Sequence, residues 1–187
     1  MTSHTHLVFN FDQICWNDRL RNARNCLAKT TTDGTDCWIQ EPTPFCRSWY
    51  SHKLNKAGVQ YKLLVAVGCS KVVWVHGLFC AGSWTDVKIF KKGLRQVLHF
   101  FQEMTICDRG YKGLEFWVQV KGDPCLTQEA LAFNLHAPAR HKTVNRRIKT
   151  FDCLNQQWRH PCSKHKSVFT AIVCLTNIQL QYEPLFD

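Results

Sequence analysis

The spacing of apolar residues changes several times along the chain, and each change marks an element. Phe11, Ile14, Cys15, Ala23 and Leu27 fall at imperfect helical spacing and predict a helical lead-in before Lys29. The run TTTDGTDCWIQEP then reads as a short strand that carries two acidic residues and ends at Glu41-Pro42. Tyr61–Val67 and Lys71–His76 are β-rich runs, and Gly68-Cys69-Ser70 between them signals a hairpin. A loop over Gly77–Trp84 leads to Thr85-Asp86, after which Val87, Phe90, Leu94, Val97, Leu98 and Phe101 recur at helical spacing. Ser83 or Thr85 is expected to cap that helix, and Asp86 in its first turn suits the helix dipole. Met104–Cys107 reads as a buried strand that stops at Asp108. A less regular region with Gly122, Pro124 and Pro138 follows, then a helical pattern from Thr143 to Trp158. A last helix carries Val168, Phe169, Ile172, Leu175 and Ile178.

This order of elements predicts a mixed α/β sheet flanked by helices. With 187 residues and no internal repeat, one domain is expected over residues 1–187: a helical lead-in at 1–29 and a core at 30–187. Apolar residues make up 45% of the chain, enough for a real core, which excludes global disorder. The longest apolar stretch, Leu63–Gly82, is interrupted by Lys71 and His76, so no membrane partner is expected. MTSHTHLVFNFDQ lacks a basic segment followed by a long apolar one, so no secretory leader is expected.

Eleven cysteines, an odd number with no CxxC pair, argue against a disulfide framework or a zinc ribbon. Most are expected to be reduced, small, buried hydrophobes in a nuclear or cytoplasmic protein. His160, Cys162 and His165 are a weak metal candidate, because their spacing matches no standard zinc pattern. No phosphate-binding glycine loop and no GxSxG nucleophile motif occur, which lowers ATPase and serine-hydrolase readings.

Charge changes the picture. The net charge is +10, and +7 of it lies between His136 and Lys166, where eight Lys and Arg face only Asp152. Such a stretch reads either as a phosphate-tracking surface or as a solvated helix face. Acidic residues stand out against it at strand ends and helix starts: Asp33 or Asp36, Asp86 and Asp108. Carboxylates converging on one sheet edge make an oxygen-rich site for Mg²⁺ or Mn²⁺, and two such ions stabilise the attacking and leaving oxygens of a phosphodiester displacement. Each acid alone reads equally well as a turn or cap residue.

DGTDCWIQEP, WYSHKLNKAGVQYKLLVAV, VVWVHGLFCAGSWTD, CDRGYKG and RHKTVNRRIKTF, in this order, resemble the nuclease domain of Harbinger-type DDE transposases, nearest to their protist and algal branch. The resemblance covers nearly all of Ile14 to Phe186. It implies an RNase H-like fold, Mg²⁺- or Mn²⁺-dependent DNA cleavage and strand transfer, DNA as partner, and descent from a mobile element. It places the first acid on Asp33, with Asp36 as near neighbour, and the second on Asp86; Asp33 and Asp86 would hold metal, and Asp108 is a further acid. The family's third acid is a glutamate, and its position here is Lys142.

A lysine cannot act as an oxygen ligand, and its charge repels a metal ion. The expected function is therefore a transposase-derived endonuclease and strand transferase that is weakened or inactive. The alternatives are a non-catalytic DNA- or protein-binding module of domesticated origin and a decaying element copy. The resemblance favours Lys142 pointing inward, between Asp33 and Asp86, over an outward position on the basic face. Arg140, Arg146, Arg147 and Lys149 are expected on the DNA backbone, and Trp84 along the cleft. His52, Lys53 and His141 are candidates for assisting at the site, and polar surface or DNA-backbone contact is the alternative for each. Trp74 is expected in the core. The 32 residues before Asp33 are too few for a helix-turn-helix region, so sequence-specific recognition is expected either to come from a separate DNA-recognition protein or to be absent.

Overall fold

Strand β1, Ala28–Trp38, is the axis of the molecule. The structure, a computed structural model, describes residues 14–22, 28–69, 71–111, 113–114, 116–120 and 139–185. β1 pairs antiparallel with β3 (Lys56–Ala66) on one side and parallel with β5 (Met104–Cys107) on the other. Beyond β3 lies β4 (Val72–Cys80), antiparallel; beyond β5 lies β6 (Val118–Val120), parallel. The two-residue strand β2 (Tyr50–Ser51) pairs with the start of β3. Three antiparallel strands continued by two parallel ones, with helices on both faces, form the RNase H-like arrangement.

Side chains alternate across the strands, so each face acquires its own helices. On one face Cys37, Val59, Tyr61, Leu63 and Val65 meet Val144 and Ile148 of α3 (139–148) and Phe169, Ile172 and Val173 of α5 (Cys162–Tyr182). Tyr61 lies flat on Phe169 with ring centroids 3.8 Å apart, and its hydroxyl shares a 2.8 Å hydrogen bond with His165 Nδ1. Asn177 of α5 clasps the backbone of Val72 through both its amide atoms at 2.8 Å. On the other face Leu64 and Trp74 meet Phe90 of α1 (Asp86–Lys92) and Leu94, Val97 and Leu98 of α2 (Leu94–Phe101). Trp74 is 2% exposed, as expected of a core residue.

Several elements differ from the sequence reading. The single helix expected from Val87 is two, divided at Gly93: a Cβ there would stand 3.0 Å from the His76 ring, so the glycine lets the helices sit close on β4. The loop expected at Gly77–Trp84 begins as strand, and Gly77 allows this because it crosses Tyr61, whose ring lies 2.2 Å from where a Cβ would be. The helical pattern of 143–158 resolves into α3 and the short α4 (Asp152–Asn155). Trp158 instead extends the sheet, its N–H bonded to Trp38 O and its C=O to Gln40 N, both at 2.9 Å. Of the lead-in, residues 14–22 form a 3-10 turn at Trp16–Leu20 rather than an α-helix, held by Arg19, which pairs with Glu103 at 2.8 Å. Residues 1–13 and 23–27, and the region with Gly122, Pro124 and Pro138, lie outside the described residues.

The expectation that most cysteines are buried is corrected. Of the nine described, Cys37 and Cys107 are buried and Cys15, Cys46, Cys153 and Cys174 are exposed; all nine are free thiols. The sheet faces are filled by larger side chains, which leaves the helix-borne cysteines on outer faces. No helix among the described residues is long and apolar enough to cross a membrane.

Candidate active site

The parallel pairing of β1 with β5 sets the site. Thr31 pairs with Ile106, so Asp33 on β1 and Asp108, the residue just beyond β5, come to the same side of the sheet. Both line a cavity of about 130 Å³ with Thr31, Thr32, Ile106, Cys107 and His141. One oxygen of each carboxylate accepts a local backbone N–H: Gly34 N at 2.7 Å from Asp33 Oδ1, and Gly110 N at 3.0 Å from Asp108 Oδ1. Asp33 is half-buried and Asp108 exposed.

His141 on α3 closes the cavity. Its Nε2 lies 2.6 Å from Thr31 Oγ1, and its Nδ1 is buried with no hydrogen-bond partner among the described residues. Burial pushes its pKa down to about 4, and the nearby Lys62 charge adds to this, against the opposing Asp33 carboxylate and the Thr31 bond. The ring is therefore neutral at pH 7. A position on the polar surface, one of the alternatives for His141, is thereby corrected: His141, Val144 and Ile148 form the stripe of α3 that faces the sheet.

Asp86 approaches β1 from the opposite face. It opens α1 behind Thr85, whose Oγ1 accepts Lys88 N at 3.3 Å, so Thr85 and not Ser83 is the cap. Its Oδ1 lies against Gly34, where a Cβ would meet it at 2.5 Å. Gln60 Nε2 donates to the same oxygen at 3.1 Å, and Lys62 Nζ lies 2.5 Å from it. Lys62 is 0% exposed, and its ammonium also donates to Tyr111 Oη at 2.6 Å. Burial alone would raise the Asp86 carboxyl; the Lys62 ammonium, by charge and hydrogen bond, and the charge of Lys53 outweigh it and hold it below the usual carboxylate range.

Burial also pushes up the Cys107 thiol and the Tyr111 hydroxyl, and the charges of Asp33, Asp86 and Asp108 all add to it. Asp33 and Asp108 share one cavity, while Asp86 and Lys62 meet on the opposite face of β1. The pattern YKLLVAV held a signal for Lys62: a lone charge within an apolar strand buried on both faces needs a partner.

Asp36 is buried on the face of Asp86, where Ser51 Oγ donates to its Oδ2 at 2.5 Å. It does not reach the cavity that Asp33 lines. Lys142 is exposed on α3, one position off the sheet-facing stripe, so the inward placement expected of it is corrected. The cation beside an acid is Lys62.

The basic stretch divides. Arg146 and Lys142 are exposed, and Lys149 is half-buried. Arg140 donates to Val67 O, and Arg147 donates to Glu183 O at 2.7 Å, so both guanidinium groups tie the fold together. Trp84 is half-buried, packed on Phe79 at 4.6 Å with the Lys92 ammonium 4.6 Å over its ring, and does not line the acid cavity. His52 and Lys53 are exposed. His165 lies in the core against Tyr61, which removes it from a site with His160 and Cys162.

A divalent metal needs several oxygen ligands and no cation among them. Asp33 and Asp108 supply two carboxylates, but Asp86 is held by two donors on the other face, and the residue at 142, where the resemblance leads one to expect a third acid, is an exposed lysine. Among the described residues no three His, Cys, Asp or Glu are placed to hold a metal. The side chains present do not fit a two-metal nuclease centre.

A family model described as DDE superfamily endonuclease matches residues 32–177, a span that holds Asp33, Asp86, Asp108 and position 142. No curated protein is similar enough to the chain to count as a relative.

Proposed function

We propose that this chain, which belongs to the DDE superfamily endonucleases, is a transposase-derived, Harbinger-type domain that binds DNA and whose cleavage of it is weakened or lost. The observation that carries this is the occupancy of the acid site by lysine: Lys62 neutralises Asp86 at 2.5 Å, and Lys142 stands where the resemblance expects glutamate. Asp33 and Asp108 line one cavity, with no third His, Cys, Asp or Glu among the described residues placed to complete a metal site. DNA contact falls to the exposed cations of α3, Lys142 and Arg146, and to Arg159 and Lys164 beyond it.

A DNA-binding module is favoured over a protein-binding one because Lys142, Arg146, Arg159 and Lys164 are exposed in this stretch against one exposed acid, Asp152. Its test is fluorescence anisotropy with a labelled duplex. Affinity should fall steeply between 50 and 200 mM salt, by roughly tenfold or more for a few phosphate contacts. It should not require Mg²⁺, so that EDTA leaves it intact, and Arg146→Glu should weaken it. Binding that requires Mg²⁺, or no binding at low salt, contradicts the proposal.

A further inference from the structure

We infer that Lys62 is a built-in counter-cation of the acid site, which supplies from a side chain the positive charge that a divalent metal would otherwise supply. Its ammonium is wholly enclosed, and two of its three N–H donors are used, by Asp86 Oδ1 at 2.5 Å and Tyr111 Oη at 2.6 Å. A lysine loses much hydration on such burial, so it persists charged only where fixed negative charge surrounds it. Asp86 makes the direct contact, and the cavity that Asp33 and Asp108 line lies on the opposite face of β1.

The geometry also closes the Oδ1 oxygen of Asp86 to a metal. Two donors, Lys62 Nζ and Gln60 Nε2, converge on Oδ1, and Gly34 lies against the same oxygen. A cation arriving there would meet an ammonium within contact distance, so the two positive charges are mutually exclusive. Removing the ammonium exposes a surplus of carboxylate charge, and divalent affinity should rise. Removing Asp86 together with it should restore the balance. The inference rests on the reading of these carboxylates as the family's acid site, and it does not depend on DNA binding.

The test is Mn²⁺ binding followed by the electron paramagnetic resonance of free Mn²⁺, with thermal unfolding in EDTA and in Mn²⁺ beside it. The wild-type chain should bind Mn²⁺ weakly and show no Mn²⁺-dependent rise in Tm. Lys62→Gln should bind at least tenfold more tightly and gain Tm with Mn²⁺, and Lys62→Gln with Asp86→Asn should lose both gains. A folded Lys62→Gln with wild-type Mn²⁺ affinity overturns the inference. If Lys62→Gln does not fold, the wild type decides. Tight one-to-one Mn²⁺ binding that Asp86→Asn abolishes overturns the inference, and weak binding in both supports it. DNA affinity measured on the same proteins separates the two claims: its absence with the expected Mn²⁺ results removes the DNA-binding reading alone.

Discussion

Lys62 and Asp86 sit in a contact where neither can be changed alone without cost. Breaking a buried pair strands the remaining charge, typically at about 3–5 kcal/mol. Asp86 keeps a third of its side-chain exposure, so Asp86→Asn should lie near the lower end, at about 3 kcal/mol by urea denaturation. Lys62→Met with Asp86→Leu should cost less than the sum of its single variants, because no charge is left behind. Gly34→Ala tests the same contact from the strand side. Its methyl would meet Asp86 Oδ1 at 2.5 Å, so it should displace the carboxylate from Lys62 and cost about 1–3 kcal/mol. At this scale the sequence showed which acids stand at element ends. It could not show which cation they meet, because Lys142 and Lys62 differ by the face each presents, and that is set by packing.

The elements explain why some boundaries were legible and others not. The hairpin of β3 and β4, the strand before Asp108 and the cap at Thr85 follow from local chemistry, and the structure contains them all. The break at Gly93 and the extension of β4 through Gly77 depend on contacts with rings 17 and 16 residues away in sequence, His76 and Tyr61, which periodicity does not report. Gly77→Ala should therefore be among the most damaging small substitutions. Its Cβ would enter the Tyr61 ring, which is itself pinned between Phe169 and β4, and differential scanning calorimetry should show a Tm lower by several degrees. Trp158 is a similar case: its apolar spacing suits a helix, but its backbone hydrogen bonds go to Trp38 and Gln40.

For the whole molecule, the two histidines buried among the described residues set an acid limit. His141 and His165 are each pushed down to about 4, chiefly by burial, from an ordinary value of 6.5. A histidine held neutral by the fold takes up its proton more readily when unfolded. The stability it contributes is complete above about pH 6.5 and is lost as pH falls toward 4, up to about 3 kcal/mol for each. Urea midpoints should thus fall between pH 6.5 and 4, and His141→Gln should flatten part of that slope. The net charge of +10, which at first points simply to an anionic partner, divides on inspection. Arg140 and Arg147 bind backbone carbonyls, Lys62 is buried against Asp86, and Lys142, Arg146, Arg159 and Lys164 are the exposed cations of the stretch to which the proposal assigns DNA contact.

The account holds that an RNase H-like endonuclease fold is retained while its acid site is neutralised by lysine. Nicking of supercoiled plasmid by the purified chain in Mn²⁺, with Asp33→Asn combined with Asp108→Asn as the control, tests this most directly. The account predicts that the wild-type chain nicks no faster, or only marginally faster, than the doubly substituted control. Rapid Mn²⁺-dependent nicking that the double substitution abolishes would contradict it.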